Sequence, residues 1–261
     1  MKKIAIVTGA SSGIGKEFAK QIDSYGFDEI WGIALDQEGL DALKNENTTP
    51  VVPLALDLTD NESFELLTEK LKKENPSVEL LIHCSGFGKF GRYDEIPLEA
   101  SCNMIDLNCK GTVKITELVL PYIPKKGRIV EISSISAFAP IPYVNVYAAT
   151  KAFLKSYSIS LGEELKPRKI SVTCVCPYWT KTQFFNRAKT TEHDVITYYQ
   201  VMYDAKKVVK YALKCAKKRK MFSLYGTTTK FMAFLTRIIP TKMFLSIWRK
   251  QQNFKKKYWK K

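Results

Sequence analysis

Along the first two-thirds of the chain, the spacing of apolar positions switches back and forth between two patterns. Short apolar runs stand at residues 3–8 (KIAIVT), 29–35, 51–56, 79–84 (ELLIHC), 127–133 (GRIVEIS) and 169–175. Near-continuous apolar runs of this length suit strands buried on both faces. Between them, residues 14–25, 39–45, 62–73, 98–120 and 145–165 place apolar side chains three and four apart. That is the spacing of one helix face. Strands alternating with helices predict βαβ units, a parallel sheet and helices on both of its faces. The crossovers are expected to be right-handed. A further amphipathic helix is expected at 208–217 and a seventh strand at 221–225. Two short helices follow at 230–239 and 242–251, divided by Pro240. No repeat or low-complexity linker interrupts the pattern. The expected organisation is residues 1–225 as one α/β domain and residues 226–261 as a helical extension packed on or near the substrate side.

Composition supports a real core, since 45% of residues are apolar. Charge changes the picture more. From residue 205 to the end there are 18 Lys and Arg and no Asp or Glu, while the rest holds 23 basic and 26 acidic residues. A mildly acidic body therefore carries a strongly basic C-terminal fifth, which bears on partners and not on fold. Six cysteines contain no C-x-x-C, and two histidines, His83 and His193, complete no usual zinc set. Reduced cysteines in a cytosolic protein and no metal are expected. The opening MKKIAIVTGA lacks the apolar stretch of a secretory signal, and no run reaches the ~18 apolar residues of a membrane span. A cytoplasmic location follows as an expectation, with the inner membrane surface as a peripheral site.

The first strand runs into Thr8-Gly9-Ala10-Ser11-Ser12-Gly13-Ile14-Gly15. Glycines at this spacing let a backbone turn tightly and approach a pyrophosphate, and the following helix N-terminus supplies N–H donors. Ser11 and Ser12 add hydroxyls that can also cap the helix. The plainer alternative is an ordinary strand–helix turn, which the position after the first strand of a βαβ series disfavours.

Three Tyr-x-x-x-Lys pairs occur, at Tyr122/Lys126, Tyr147/Lys151 and Tyr203/Lys207, about as many as chance yields with 13 Tyr. One has a matching partner. The strand GRIVEISS ends at Ser133–Ser134, 13 residues before Tyr147; the same offset from the other two gives Cys109 and Thr190. Strand ends of an open parallel sheet carry ligand chemistry. Tyr147 and Lys151, four apart on a helix, share a face. The alternative is a core tyrosine beside a snorkelling lysine.

Over roughly residues 1–200 the chain resembles the short-chain dehydrogenase/reductase family. The likeness rests on TGASSGIG, on Asp57 in ALDLTD, on Asn108 in DLNCKG, on SS…YAATK and on PYWTKT. It implies a three-layer Rossmann fold, with a doubly wound parallel sheet of about seven strands and here a basic helical extension. It also implies hydride transfer between NAD or NADP and a carbonyl or alcohol carbon. Tyr147 is then the proton donor or acceptor, Ser134 holds the substrate oxygen, Lys151 binds the nicotinamide ribose and Asn108 supports a water relay to Lys151. The implied cofactor positions begin with Gly9, Ser11, Ser12, Gly13, Ile14 and Gly15. They continue with Asp36, Asp57, Leu58, Ser85, Gly86, Pro177, Thr180 and Thr182, together with Tyr147 and Lys151. The chemistry fits: carbonyl reduction builds charge on oxygen, so a proton donor and a fixed hydroxyl are needed. For the reverse reaction a nearby ammonium and the cationic nicotinamide of the oxidised cofactor are expected to draw the tyrosine down from its usual pKa of ~10.

The chain departs from the family pattern in three places. His83-Cys84-Ser85-Gly86 stands where the family has Asn-Asn-Ala-Gly, so His83 is expected to be a packed residue and not a base. Tyr178 follows Pro177 in place of glycine and either crowds or lines the nicotinamide pocket. Ala34 and Leu35 replace the residues that usually select NAD or NADP. Asp36 either accepts from the ribose 2′-hydroxyl or merely caps the next helix, which leans the expectation to NAD.

Apolar side chains in residues 183–203 and beyond 221 suggest an apolar substrate such as a steroid, bile acid or fatty ketone. These are Phe184, Phe185, Tyr198, Tyr199, Phe222, Phe231, Met232, Phe234 and Leu235, with Phe87, Phe90 and Tyr93 added. About half are expected to be plain core residues. The basic helices suit three roles: capping the substrate pocket or a subunit interface, docking on a membrane, or forming a solvated tail that attracts anions. Their stripe is Phe231, Phe234, Leu235, Ile238, Phe244, Leu245 and Trp248. A homo-oligomer through the helices starting near Leu98 and Asn145 is expected, and nucleic acid is not. The rival from another class is a dinucleotide-binding sensor or scaffold with a basic membrane- or polyanion-binding tail.

Overall fold

The computed structural model describes residues 1–188, 196 and 201–252. His193, Tyr198, Tyr199 and the basic residues past 252 lie outside the described residues. Seven parallel strands form the main sheet: β1 (Lys3–Thr8), β2 (Glu29–Ala34), β3 (Val51–Ala55), β4 (Ser77–His83), β5 (Arg128–Ile132), β6 (Ser171–Val175) and, last in the chain, β9 (Phe222–Ser223). Their order is β3-β2-β1-β4-β5-β6-β9, the doubly wound arrangement expected from the sequence.

Alternation along each strand builds two cores. In β1, Ala5 and Val7 join one apolar cluster with Phe18, Leu40 and Leu213, from α1 (Gly13–Gln21), α2 (Gln37–Glu46) and α8 (Ala205–Lys217), and with Ile22 just past α1. Ile4 and Ile6 join the other, with Trp31, Leu67 and Ile115, against α3 (Asn61–Glu74) and α5 (Thr112–Val119). Successive strand residues point to opposite faces, so one apolar run serves both layers. Each large side chain fully buried this way contributes ~1.5–3 kcal/mol.

The order reverses between β1 and β4, and the crevice beyond the strand ends at such a switch point is where ligands bind. There the chain forms α4 (Leu98–Ile105) and α6 (Asn145–Glu164). The helix expected at 98–120 is not uniform. A π-helical segment, Asp106–Gly111, separates α4 from α5. Wider turns of this kind recur at functional sites, and this one contains Asn108. The last strand shrinks from the expected 221–225 to two residues. A short parallel pair, β7 (Thr180–Lys181) and β8 (Tyr203–Asp204), flanks α7 (Phe184–Ala188). The C-terminal helices are α9 (Thr227–Ile238) and α10 (Thr241–Gln251), with Pro240 between them.

Candidate active site

The glycine turn is shaped by backbone demands. Gly9 and Gly13 have φ of 67° and 57°, in the left-handed region that favours glycine. A Cβ on Gly15 would lie 2.1 Å from the Gly9 carbonyl oxygen, and one on Gly9 would lie 2.9 Å from the Cys84 carbonyl carbon. The turn is therefore a cradle that any side chain would fill. Ser12 takes the N-cap position of α1 but makes no capping bond. Thr8 does work expected of the missing amides: its Oγ1 accepts from the N–H groups of Cys84 and Ser85 at 3.1 and 3.0 Å.

Ser134 ends the β5 segment, and its Oγ accepts from the Ser136 N–H at 3.1 Å. Its hydroxyl also lies close enough to the Tyr147 phenol to favour the phenolate. Burial pushes the Tyr147 pKa up to about 12, outweighing that pull, which draws it down. Lys151 Nζ sits 5.7 Å from the Tyr147 ring centre. Lys151 Nζ donates to the Ile132 carbonyl at 2.8 Å. Burial pulls its pKa down, and the buried carboxylate of Glu131 opposes this most strongly.

Asn108 is fully buried. Its Oδ1 accepts from the Phe87 N–H at 3.0 Å, and its Nδ2 donates to the Phe87 carbonyl at 2.9 Å and to Thr150 Oγ1 at 3.0 Å. Thr150 Oγ1 in turn donates to the Tyr147 carbonyl at 2.8 Å. Asn108 thus ties the loop after β4 to the first turn of α6. Of the catalytic and cofactor positions expected from sequence, it alone stands behind the cleft.

The rest converge on one cavity of about 520 Å³. Gly9, Ser11, Ser12, Gly13, Ile14 and Gly15 line one end, with Asp36, Asp57 and Leu58 beside them. Ser85, Gly86, Ser134, Tyr147 and Lys151 line the middle, under Pro177, Thr180 and Thr182. The Thr182 side chain is 3.7 Å from where a Gly13 Cβ would be, so this loop roofs the glycine turn.

A family model described as short chain dehydrogenase matches residues 3–193. The chain belongs to the short-chain dehydrogenase family. The very-long-chain 3-oxoacyl-CoA reductase of Pyrenophora tritici-repentis is 32% identical over 197 residues, 72% of this chain and 58% of that one. An uncharacterized oxidoreductase of Staphylococcus epidermidis is 29% identical, over 67% of this chain and 77% of that one. The match to the Aspergillus niger very-long-chain 3-oxoacyl-CoA reductase, 35% identical, covers 67% of this chain and 53% of that one. This dehydrogenase thus spans little more than half the length of those two reductases. Among solved structures, the short-chain dehydrogenase of Sphingobium yanoikuyae in complex with NADPH superposes with a TM-score of 0.77 at 27% identity. The match covers 92% of this chain and 97% of that one.

The family uses NAD or NADP, and the glycine cradle and the cleft behind it fit such a dinucleotide. The structure separates the alternatives left open for several side chains. Asp36 caps α2, accepting from the Gly39 N–H at 3.0 Å, while still lining the cleft. Lys16, the nearest basic candidate for a 2′-phosphate, is paired with Glu46 at 2.8 Å. His83 is buried and bonded to Thr116 Oγ1 at 3.0 Å, and burial holds its pKa down at about 3; it is a packed residue, as expected. Tyr178 lines the cleft. Tyr93 does not: it is 83% exposed, turned out where the Arg92 N–H binds the Glu95 carboxylate. Phe222 packs on Phe138 at 6.2 Å instead, and Phe231 and Phe234 face outward.

Part of the cleft's lining around Tyr147 is aromatic. Phe184 lies 5.4 Å from the Tyr147 ring and 6.0 Å from Phe90, and Phe90 lies 6.2 Å from Trp179. Gly88 was not singled out from sequence. A Cβ there would lie 2.7 Å from Tyr147 Cδ2, so its lack of a side chain makes room for the tyrosine. Met232, Phe244 and Trp248 close the mouth from α9 and α10, a placement no local pattern encodes.

Proposed function

We propose that this short-chain dehydrogenase is an NAD(P)-dependent oxidoreductase acting on an apolar ketone or secondary alcohol. The observation that carries this reading is the Ser134–Tyr147 hydroxyl pair beside buried Lys151, in the same cleft as the glycine cradle. The dinucleotide, when bound, supplies or accepts the hydride. Tyr147 holds its proton at neutral pH, since burial raises its pKa, and gives it to the oxygen that gains charge. Ser134 orients that oxygen. Lys151, anchored on the Ile132 carbonyl, would hold the ribose of the dinucleotide. Asn108 acts as a positioning residue through Phe87 and Thr150. The protonated tyrosine favours reduction.

Asp36 in the cleft and the Lys16–Glu46 pair support NAD over NADP, because an acid stands there and the nearby Lys16 is already paired. The aromatic wall and the names of the reductase relatives support a substrate with a long or bulky apolar portion. The division at residue 225 is part of the proposal, with α9 and α10 as an extension over the substrate end. Exposed Leu98 and Ile105 on α4 and Phe153 on α6 support self-association through these helices.

The test is nicotinamide fluorescence loss with a panel of apolar ketones, wild type against Tyr147→Phe. Turnover is expected to fall ~10²–10⁴-fold, the usual contribution of a general acid. Equal turnover would remove Tyr147 from the chemistry. Dinucleotide binding with no turnover of any ketone would favour the sensor.

A further inference from the structure

The helices α9 and α10 carry apolar side chains that the cleft does not use. Phe231, Phe234 and Ile238 are 60%, 60% and 63% exposed and stand at i, i+3 and i+7, one stripe of α9. Met243 and Ile247 of α10 are 48% and 39% exposed, four apart on one face. The two stripes meet across an apolar groove of about 410 Å³, to which Phe231 and Ile247 both contribute. Lys230, Arg237, Lys242, Arg249 and Lys250 are exposed on the same two helices. Neither helix contains an acid, and no Asp or Glu occurs anywhere from residue 205 onward.

We propose that this face docks on an anionic lipid surface. A helix that lies in a bilayer interface needs an apolar stripe to enter the acyl boundary and flanking cations to meet the headgroups. Both are present on two adjoining helices. Among the described residues no helix is long and apolar enough to cross a membrane, so the contact is peripheral. Charge argues against a second copy as occupant, because symmetric pairing of this face would oppose like charges over an acid-free surface. Trp248 is turned inward toward the cleft, so the outer stripe relies on phenylalanine and aliphatic groups. Met232, Phe244, Trp248 and Gln251 border both the groove and the active-site cleft. Docking would thus set the cleft mouth against the lipid, where apolar molecules are concentrated. The inference does not depend on the hydride-transfer reading, and its test uses no substrate.

The full-length chain is sedimented with vesicles of phosphatidylcholine alone and with phosphatidylglycerol added, at low and near-molar salt. Binding is expected to rise at least ~tenfold with the anionic lipid and to weaken in high salt. The double variant Phe231→Ser/Phe234→Ser keeps every cation and alters only exposed positions. It is expected to lose ~tenfold in binding while its thermal midpoint stays unchanged. Equal affinity for both vesicle types, or none for either, would overturn the proposal. Undiminished binding by the double variant would overturn it too, assigning the attraction to the basic tail alone. So would a dimer, seen by light scattering without lipid, that the same double variant dissociates.

Discussion

Burial shifts the charge states of single residues here, in opposite directions for an acid and a base. Tyr147 is a stronger proton holder than its neighbours suggest. Its desolvation outweighs the opposing pull of the Ser134 hydroxyl. His83 shows the opposite sign. Its pKa falls from 6.5 to about 3 because the buried ring resists charging. In the unfolded chain it protonates near 6.5, so the unfolded state binds more protons below that pH. The stability that His83 contributes is present above pH 6.5 and is lost as pH falls toward 3. At 1.36 kcal/mol per unit the loss approaches ~5 kcal/mol. Urea midpoints measured across this window are expected to fall steeply in wild type and less steeply in His83→Gln, which keeps a partner for Thr116. Parallel curves would show that other groups carry the acid response.

At the scale of elements, the strands and most helices were readable because their period is local. A five-residue apolar run or an i, i+4 repeat is visible without knowing its neighbours. The π-helical segment was not, since its cause is non-local. Asn108 reaches Phe87 and Thr150, 21 and 42 residues away, and Gly111 lies where a Cβ would be 2.7 Å from the Leu58 carbonyl oxygen. Asn108→Ala removes three buried hydrogen bonds and leaves the Phe87 N–H without its partner. The expected cost is ~2–4 kcal/mol, read from denaturant midpoints, together with a fall in kcat as α6 loosens from the loop. Unchanged stability would mean that water replaces the amide and that the segment owes its shape to something else.

At the scale of the whole molecule, the cleft is assembled from segments far apart in the chain: the turn at Gly9, the end of β5, α6 and the C-terminal helices. Trp248 is the distal member, packed with Phe90, Val144 and Trp179 around the cleft. Trp248→Ala opens the mouth. It is expected to raise KM for bulky apolar ketones ~10-fold or more, in line with the ~1.5–3 kcal/mol of a large buried side chain. KM for small ketones should change little. An equal change for both would place Trp248 in general folding and not in substrate recognition.

The order of strands and helices and the glycine turn follow from the sequence by itself, because each is written in short spacings that physics reads locally; the Ser134, Tyr147 and Lys151 set needed in addition a 13-residue offset and a family resemblance. The cleft's depth, the protonated state of Tyr147, the outward turn of Tyr93 and the split of α9 into inward and outward stripes belong to the tertiary structure. Each depends on which distant surface excludes water from a given side chain, and that is settled only when the layers pack.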